Sequence, residues 1–128
     1  MDRPQFQAWL NGYIEAWRSN DRATIERLFA DDACYWYNAY ADPLVGRSAI
    51  VDFWLEEPDA PDSWEAEYDV LAIDGEVHVA TGESRYRSET DATTFDRAYS
   101  NVFVCRFDAD GRCTEFREWF MERPKPKA

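Results

Sequence analysis

Leu28-Phe29-Ala30-Asp31-Asp32-Ala33-Cys34-Tyr35-Trp36-Tyr37 reads as a helix end, an acidic pair and then a short aromatic strand over Cys34–Asn38. Ala41–Gly46 follows as a loop, and Gly46-Arg47-Ser48-Ala49-Ile50 starts a further helix. This junction sets the order of the whole chain, because helical periodicity dominates before it and strand periodicity after it.

Upstream, Phe6, Trp9, Leu10, Tyr13, Ile14 and Trp17 recur at three- and four-residue spacing, which predicts an amphipathic helix over residues 5–18. Asn20-Asp21 offers an N-cap for a second helix over Arg22–Phe29, with Ile25, Leu28 and Phe29 inward. A third helix over Ser48–Leu55 buries Ile50, Phe53 and Trp54, and Glu56–Ser63, with two Pro and four acidic residues, is an exposed loop.

Beyond it the period changes to two. Trp64–Ile73, Val77–Ser88, Arg97–Phe107 and Arg112–Glu122 are rich in aromatic and β-branched residues and read as four antiparallel strands. Asp74-Gly75 and Asp108-Ala109-Asp110-Gly111 supply the turns, glycine taking the positive φ. The second turn has the opening of a calcium loop but lacks the remaining ligand spacing. The expectation is a single α+β domain over residues 1–123, a curved antiparallel sheet with three N-terminal helices enclosing a conical pocket, and a disordered tail over 124–128.

Composition narrows the function. Twenty-one Trp, Tyr and Phe rings favour either a thick core or an aromatic-walled cavity. A net charge of -12 repels phosphate backbones and argues against nucleic-acid binding. No apolar run approaches the roughly 20 residues of a membrane span, and the first residues lack the order of a signal peptide. Cys34, Cys105 and Cys113 form no CxxC pair and suit reduced thiols, so a cytoplasmic protein is expected. With one histidine and scattered cysteines, nothing calls for a metal, and no phosphate-binding loop or nucleophile elbow calls for a cofactor or a serine nucleophile.

Strand parity selects the candidate site. In the last strand Thr114, Phe116, Glu118 and Phe120 share a face, placing Glu118 between two rings, where a raised pKa would suit a general acid or base. The same residue could instead face outward and pair with Arg117 or a neighbouring strand. In the strand from Val77, the face Val77, Val79, Thr81, Glu83, Arg85, Arg87 begins apolar and becomes charged, as a core opening into a pocket mouth would. His78 lies on the opposite face, which points to a surface or edge role. Tyr35 and Tyr37 share a face, as do Tyr99, Asn101 and Phe103, and such phenols and amides can hold a ligand oxygen or simply satisfy a core.

Tyr13-Ile14-Glu15-Ala16-Trp17, Asn20-Asp21, Leu28–Ala33, Gly46–Ile50 and Phe116-Arg117-Glu118-Trp119-Phe120 together resemble the nuclear-transport-factor-2-like superfamily, and within it the SnoaL-like proteins. The resemblance implies the cone fold, a pairing of two copies through the sheet face, and a pocket for a small hydrophobic molecule. It hosts several chemistries. Set against ketosteroid isomerases, Tyr13 matches the tyrosine of the first helix, but the base position falls on Tyr37 and the second acid on Phe103, so that mechanism is not available. Against limonene-epoxide hydrolases, Glu118 and Tyr35 match, Tyr37 replaces an Asn, and the Arg-x-Asp pair stands with charges reversed as Glu83-Ser84-Arg85. Scytalone-dehydratase-like chemistry needs two pocket histidines; polyketide cyclases need only an acidic pocket residue.

Two expectations follow. One is an enzyme without cofactor that transfers protons on a hydrophobic, oxygen-bearing substrate. Glu118 is its acid or base, Arg85 and Glu83 are its partners, and Tyr13, Tyr35, Tyr37, Tyr99, Asn101, Phe103, Phe116, Trp17 and Trp54 surround the substrate. The other is a non-catalytic binding or assembly domain in which Glu83, Arg85 and Glu118 form a structural ion-pair network.

Overall fold

The structure, a computed structural model, describes residues 1–125. Helix α1 (Arg3–Ser19) starts at Asp2, whose side chain accepts from the Gln5 amide while Gln5 returns a bond to the Asp2 amide, closing a capping box. It stops at Asn20, whose left-handed φ of 52° the chain uses to turn. Phe6, Trp9, Leu10, Tyr13 and Ala16 form its buried stripe.

Helix α2 is shorter than its periodicity suggests, ending at Glu26 (Arg22–Glu26). The Leu28 carbonyl is taken by the Cys113 amide (2.8 Å) and the Trp9 indole (3.0 Å), so Leu28 has left the helix and Phe29 belongs to the sheet. Strand β1 (Phe29–Trp36) therefore contains the acidic pair rather than following it. Its register with the last strand shifts between Phe29 and Cys34, which turns Asp31 and Asp32 to solvent. Asp31 meets Arg47 at 2.7 Å. A two-residue strand β2 (Leu44–Val45) and helix α3 (Arg47–Glu56) complete the first half. In α3 the buried residues are Ile50 and Val51; Phe53 is 43% exposed and Trp54 half-buried, because both rings face a cavity instead of filling the core.

Strands β3 (Trp64–Asp74), β4 (Val77–Arg87), β5 (Phe95–Phe107) and β6 (Cys113–Glu122) form the long meander. The six strands run in the order β2-β1-β6-β5-β4-β3, antiparallel throughout except β1 against β6, which is parallel. Gly75 and Gly111 take positive φ at the two turns, and Asp108 accepts from the Asp110 and Arg112 amides. Strand β6 ends at Glu122, and the expected disorder over 124–128 falls, for 126–128, outside the described residues. No helix among the described residues is long and apolar enough to cross a membrane.

Register reverses the parity reading of β4. Gly82 pairs with Tyr68 and Asn101, and Ala80 with Phe103, so His78, Ala80, Gly82, Ser84 and Tyr86 face the concave, helix-covered side. Glu83 and Arg85 therefore lie on the convex face. There the Arg85 guanidinium binds both Glu67 carboxylate oxygens (2.6 and 2.9 Å) and Glu83 (3.1 Å), and Arg123 reaches Glu83 at 2.9 Å. The concave face of β4 escaped the pattern reading because its residues are small. The close approach is strictest at Gly82, where an added Cβ would stand 2.0 Å from the Glu67 carbonyl oxygen and 2.5 Å from the Tyr68 ring. His78 is buried rather than peripheral, held by the Glu76 and Met1 carbonyls (3.0 and 3.1 Å) and edge-on to Phe6 and Phe107.

Candidate functional site

The concave side holds an open cavity of about 520 Å³ between α1, α3 and the sheet. Its size falls in the range of small-molecule sites. Each wall has a local cause. Tyr13 stands one helical turn beyond Trp9 on the buried stripe of α1; Tyr35 and Glu118 come from the parallel pair β1 and β6; Asn101 and Phe103 alternate inward from β5.

At the closed end Tyr13 and Tyr35 meet hydroxyl to hydroxyl at 3.2 Å. Phe116 lies parallel to both rings and fixes their tilt, so it supports the pocket from behind. Burial first, then the neighbouring phenols and the Glu118 charge, hold the Tyr13 hydroxyl well above its ordinary value; burial and Glu118 do the same for Tyr35. Both phenols therefore keep their protons near neutrality. When one donates to the other, the second proton remains free for a ligand oxygen.

Glu118 faces the same cavity between Phe116 and Phe120. Removal from bulk water raises its carboxyl to about 7, against an ordinary 4.5, and the Asn101 amide only partly offsets this by favouring the charged form. Asn101 is oriented by Ser84, whose hydroxyl donates to the amide oxygen at 2.9 Å and leaves the amide nitrogen to face the carboxyl. No arginine enters this arrangement; Arg85 and Glu83 are on the other side of the sheet. A carboxyl that changes protonation near pH 7, opposite a pair of neutral phenols, can take a proton from a ligand carbon or oxygen and return it.

Of the residues expected from sequence, Tyr13, Trp17, Tyr35, Tyr37, Trp54, Asn101, Phe103 and Glu118 line this cavity. Tyr37 stacks on Phe53 at its edge, and Trp17 stacks on Trp64 at 3.5 Å. Tyr99 lines a second opening of about 340 Å³, shared with Tyr86, Arg97 and Phe120, through which Glu118 is also reached. Tyr68, Ser84 and Tyr86 were missed. Tyr68 shares the concave face of β3 with Trp64, Ala66 and Val70, and Ser84 and Tyr86 lie on the face of β4 opposite Glu83 and Arg85.

A cone of this topology with an acid and a phenol pair at its closed end defines a pocket protein of the nuclear-transport-factor-2-like class. Residues 10–116 match the SnoaL-like domain family, and the chain belongs to it. Among solved structures it is similar to an NTF-2 like protein of unknown function from Burkholderia xenovorans LB400, with a TM-score of 0.71 at 15% identity, covering 97% of this chain and 88% of that one. It is also similar to a protein titled "putative ketosteroid isomerase" from Kribbella flavida DSM 17836, with a TM-score of 0.70 at 19% identity, covering 99% and 85%. At these identities the likeness shows the fold alone. No curated protein matches the sequence significantly.

Proposed function

We propose that the chain is a small-molecule enzyme that transfers protons by general acid–base chemistry on a largely apolar substrate bearing an oxygen, as isomerases, cyclases and hydratases do. The observation that carries this reading is the raised carboxyl of Glu118 facing the Tyr13–Tyr35 pair across an open cavity. With the substrate oxygen hydrogen-bonded to the tyrosine pair, negative charge developing on it is stabilised by a neutral donor while Glu118 moves the proton. Such a step requires no cofactor. The name of the Kribbella flavida protein fits this class of chemistry, but the two acids expected of ketosteroid isomerases are absent here, since Tyr37 and Phe103 stand where the carboxylates would be needed.

A panel of hydrophobic ketones, epoxides and polyketide-like compounds, tested for binding and turnover on wild type and Glu118→Gln, decides the matter. The proposal expects binding to be retained and turnover to fall by about 10²–10⁴. Unchanged turnover would remove Glu118 from the chemistry, and binding with no turnover by wild type would favour a ligand carrier.

We propose further that two copies pair through the convex sheet face, where Trp119 is 45% and Met121 73% exposed beside Val102 and Val104.

A further inference from the structure

The cavity mouth carries a charge pattern that proton transfer does not use. Glu56 and Glu57 end α3, Asp59 follows, and all three line the opening. A helix C-terminus already bears partial negative charge and is stabilised by basic residues, yet the last turn of α3 has none. Glu56 and Glu57 are exposed, whereas Asp59 is half-buried and held in place. The Trp17 indole donates to the Asp59 carboxylate and the Asn20 amide to the Asp59 carbonyl, both at 3.0 Å, while Arg18 donates to the Pro61 carbonyl.

Beside them the Asn20 side-chain oxygen is buried without a hydrogen-bond partner, an acceptor with no donor. Among the described residues no Lys, Arg or His lines this cavity. The guanidinium at the second opening, Arg97, is paired with Asp96 and lies over the Tyr86 ring. The remaining walls at this end are the Trp17 and Trp54 rings, whose faces attract cations. Acceptors, π-faces and a net charge of -12 act together, since a low-dielectric cleft lined by one sign of charge concentrates the opposite sign.

We propose that the pocket takes an organic cation: an apolar molecule whose protonated amine or quaternary ammonium rests between Asp59, Glu57 and the Trp54 ring, with its body directed toward Tyr13 and Tyr35. This rests on the small-molecule reading of the cavity and adds the charge of its ligand. Anionic substrates such as carboxylates and phosphate esters are excluded by the same field.

The test compares three probes of one shape class by quenching of tryptophan fluorescence: benzyltrimethylammonium, its uncharged carbon isostere neopentylbenzene, and benzenesulfonate. The cation is expected to bind at least tenfold tighter than the isostere, and the sulfonate not at all. Neutralising the mouth with Glu57→Gln and Asp59→Asn together should cut that preference to about threefold or less while leaving neopentylbenzene affinity unchanged, which also reports an intact fold. Raising the salt from 50 to 500 mM should narrow the preference in wild type. Equal or tighter binding of the isostere, or a preference indifferent to the double variant, overturns the cation proposal and leaves the pocket reading standing. Failure of benzyltrimethylammonium to bind at millimolar concentration likewise overturns the cation proposal, and the pocket reading falls with it only if the ketones and epoxides of the earlier panel also fail to bind.

Discussion

Replacing Glu118 with Gln should stabilise the protein, increasingly as the pH rises above about 4.5 and fully above neutral pH. The carboxyl sits near 7 in the native state because burial disfavours its charge, and near 4.5 when the chain is unfolded. Below pH 4.5 it is protonated in both states and contributes no difference. Between 4.5 and 7 the native state keeps the proton that the unfolded state loses, so the unfolded state gains and native stability falls as pH rises. Above 7 both states are ionised and the fold bears the full cost of a poorly solvated charge. The two values correspond to about 3 kcal/mol, reduced to about 2 by water entering the open cavity.

Gln keeps the size and can still accept from Asn101, so the variant removes the charge and little else. Urea unfolding of both proteins at pH 5 and pH 8 measures the effect. Every other titrating group cancels in the wild type–variant difference at each pH. The variant should exceed wild type by under about 1 kcal/mol at pH 5 and by about 2 kcal/mol at pH 8, the latter a melting shift of about 8 °C. A difference that does not change with pH, or a variant less stable at pH 8, would refute a desolvated Glu118 and the acid–base role built on it. Natural proteins retain such a cost chiefly where function needs the group.

Three further outcomes test the architecture. Gly82→Ala should cost more than 2 kcal/mol in urea unfolding and alter the Tyr68 environment, because its Cβ would collide with the Glu67 carbonyl and the Tyr68 ring. Arg85→Ala should leave ligand binding and turnover unchanged and cost at most about 1 kcal/mol in the monomer, since its ion pairs with Glu67 and Glu83 lie partly exposed on the convex face, across the sheet from the cavity; a loss of turnover would return Arg85 to the site. Trp119→Glu should turn a dimer into a monomer in sedimentation equilibrium without lowering the affinity of the pocket for its ligand, and a wild-type monomer at micromolar concentration would remove the proposed pairing.

Local chemistry made much of this legible in the chain itself. The helical stripe from Phe6 to Trp17, the turns at Gly75 and Gly111, and the junction from Leu28 to Tyr37 act over a few residues, so they announce helix, hairpin and helix-to-strand passage without tertiary help. The placement of Glu118 on the cavity side was also legible, because it shares its parity with the buried Phe116.

What only the tertiary structure decided was which side of β4 that face joins. Alternation assigns residues to two sides of a strand but does not say which is concave, and the usual guide, bulk, failed because neighbouring groups such as the Tyr68 ring pack tightly onto small residues of β4. Ala80 and Gly82 pack into the core on the concave side and Ser84 lines the cavity; Glu83 and Arg85 looked like a mouth and form the back. Pairing of Gly82 with Tyr68 and Asn101 resolves it, a contact between strands that no single strand encodes. The meeting of Tyr13 with Tyr35, 22 residues apart, likewise required the parallel docking of β1 on β6 beneath α1.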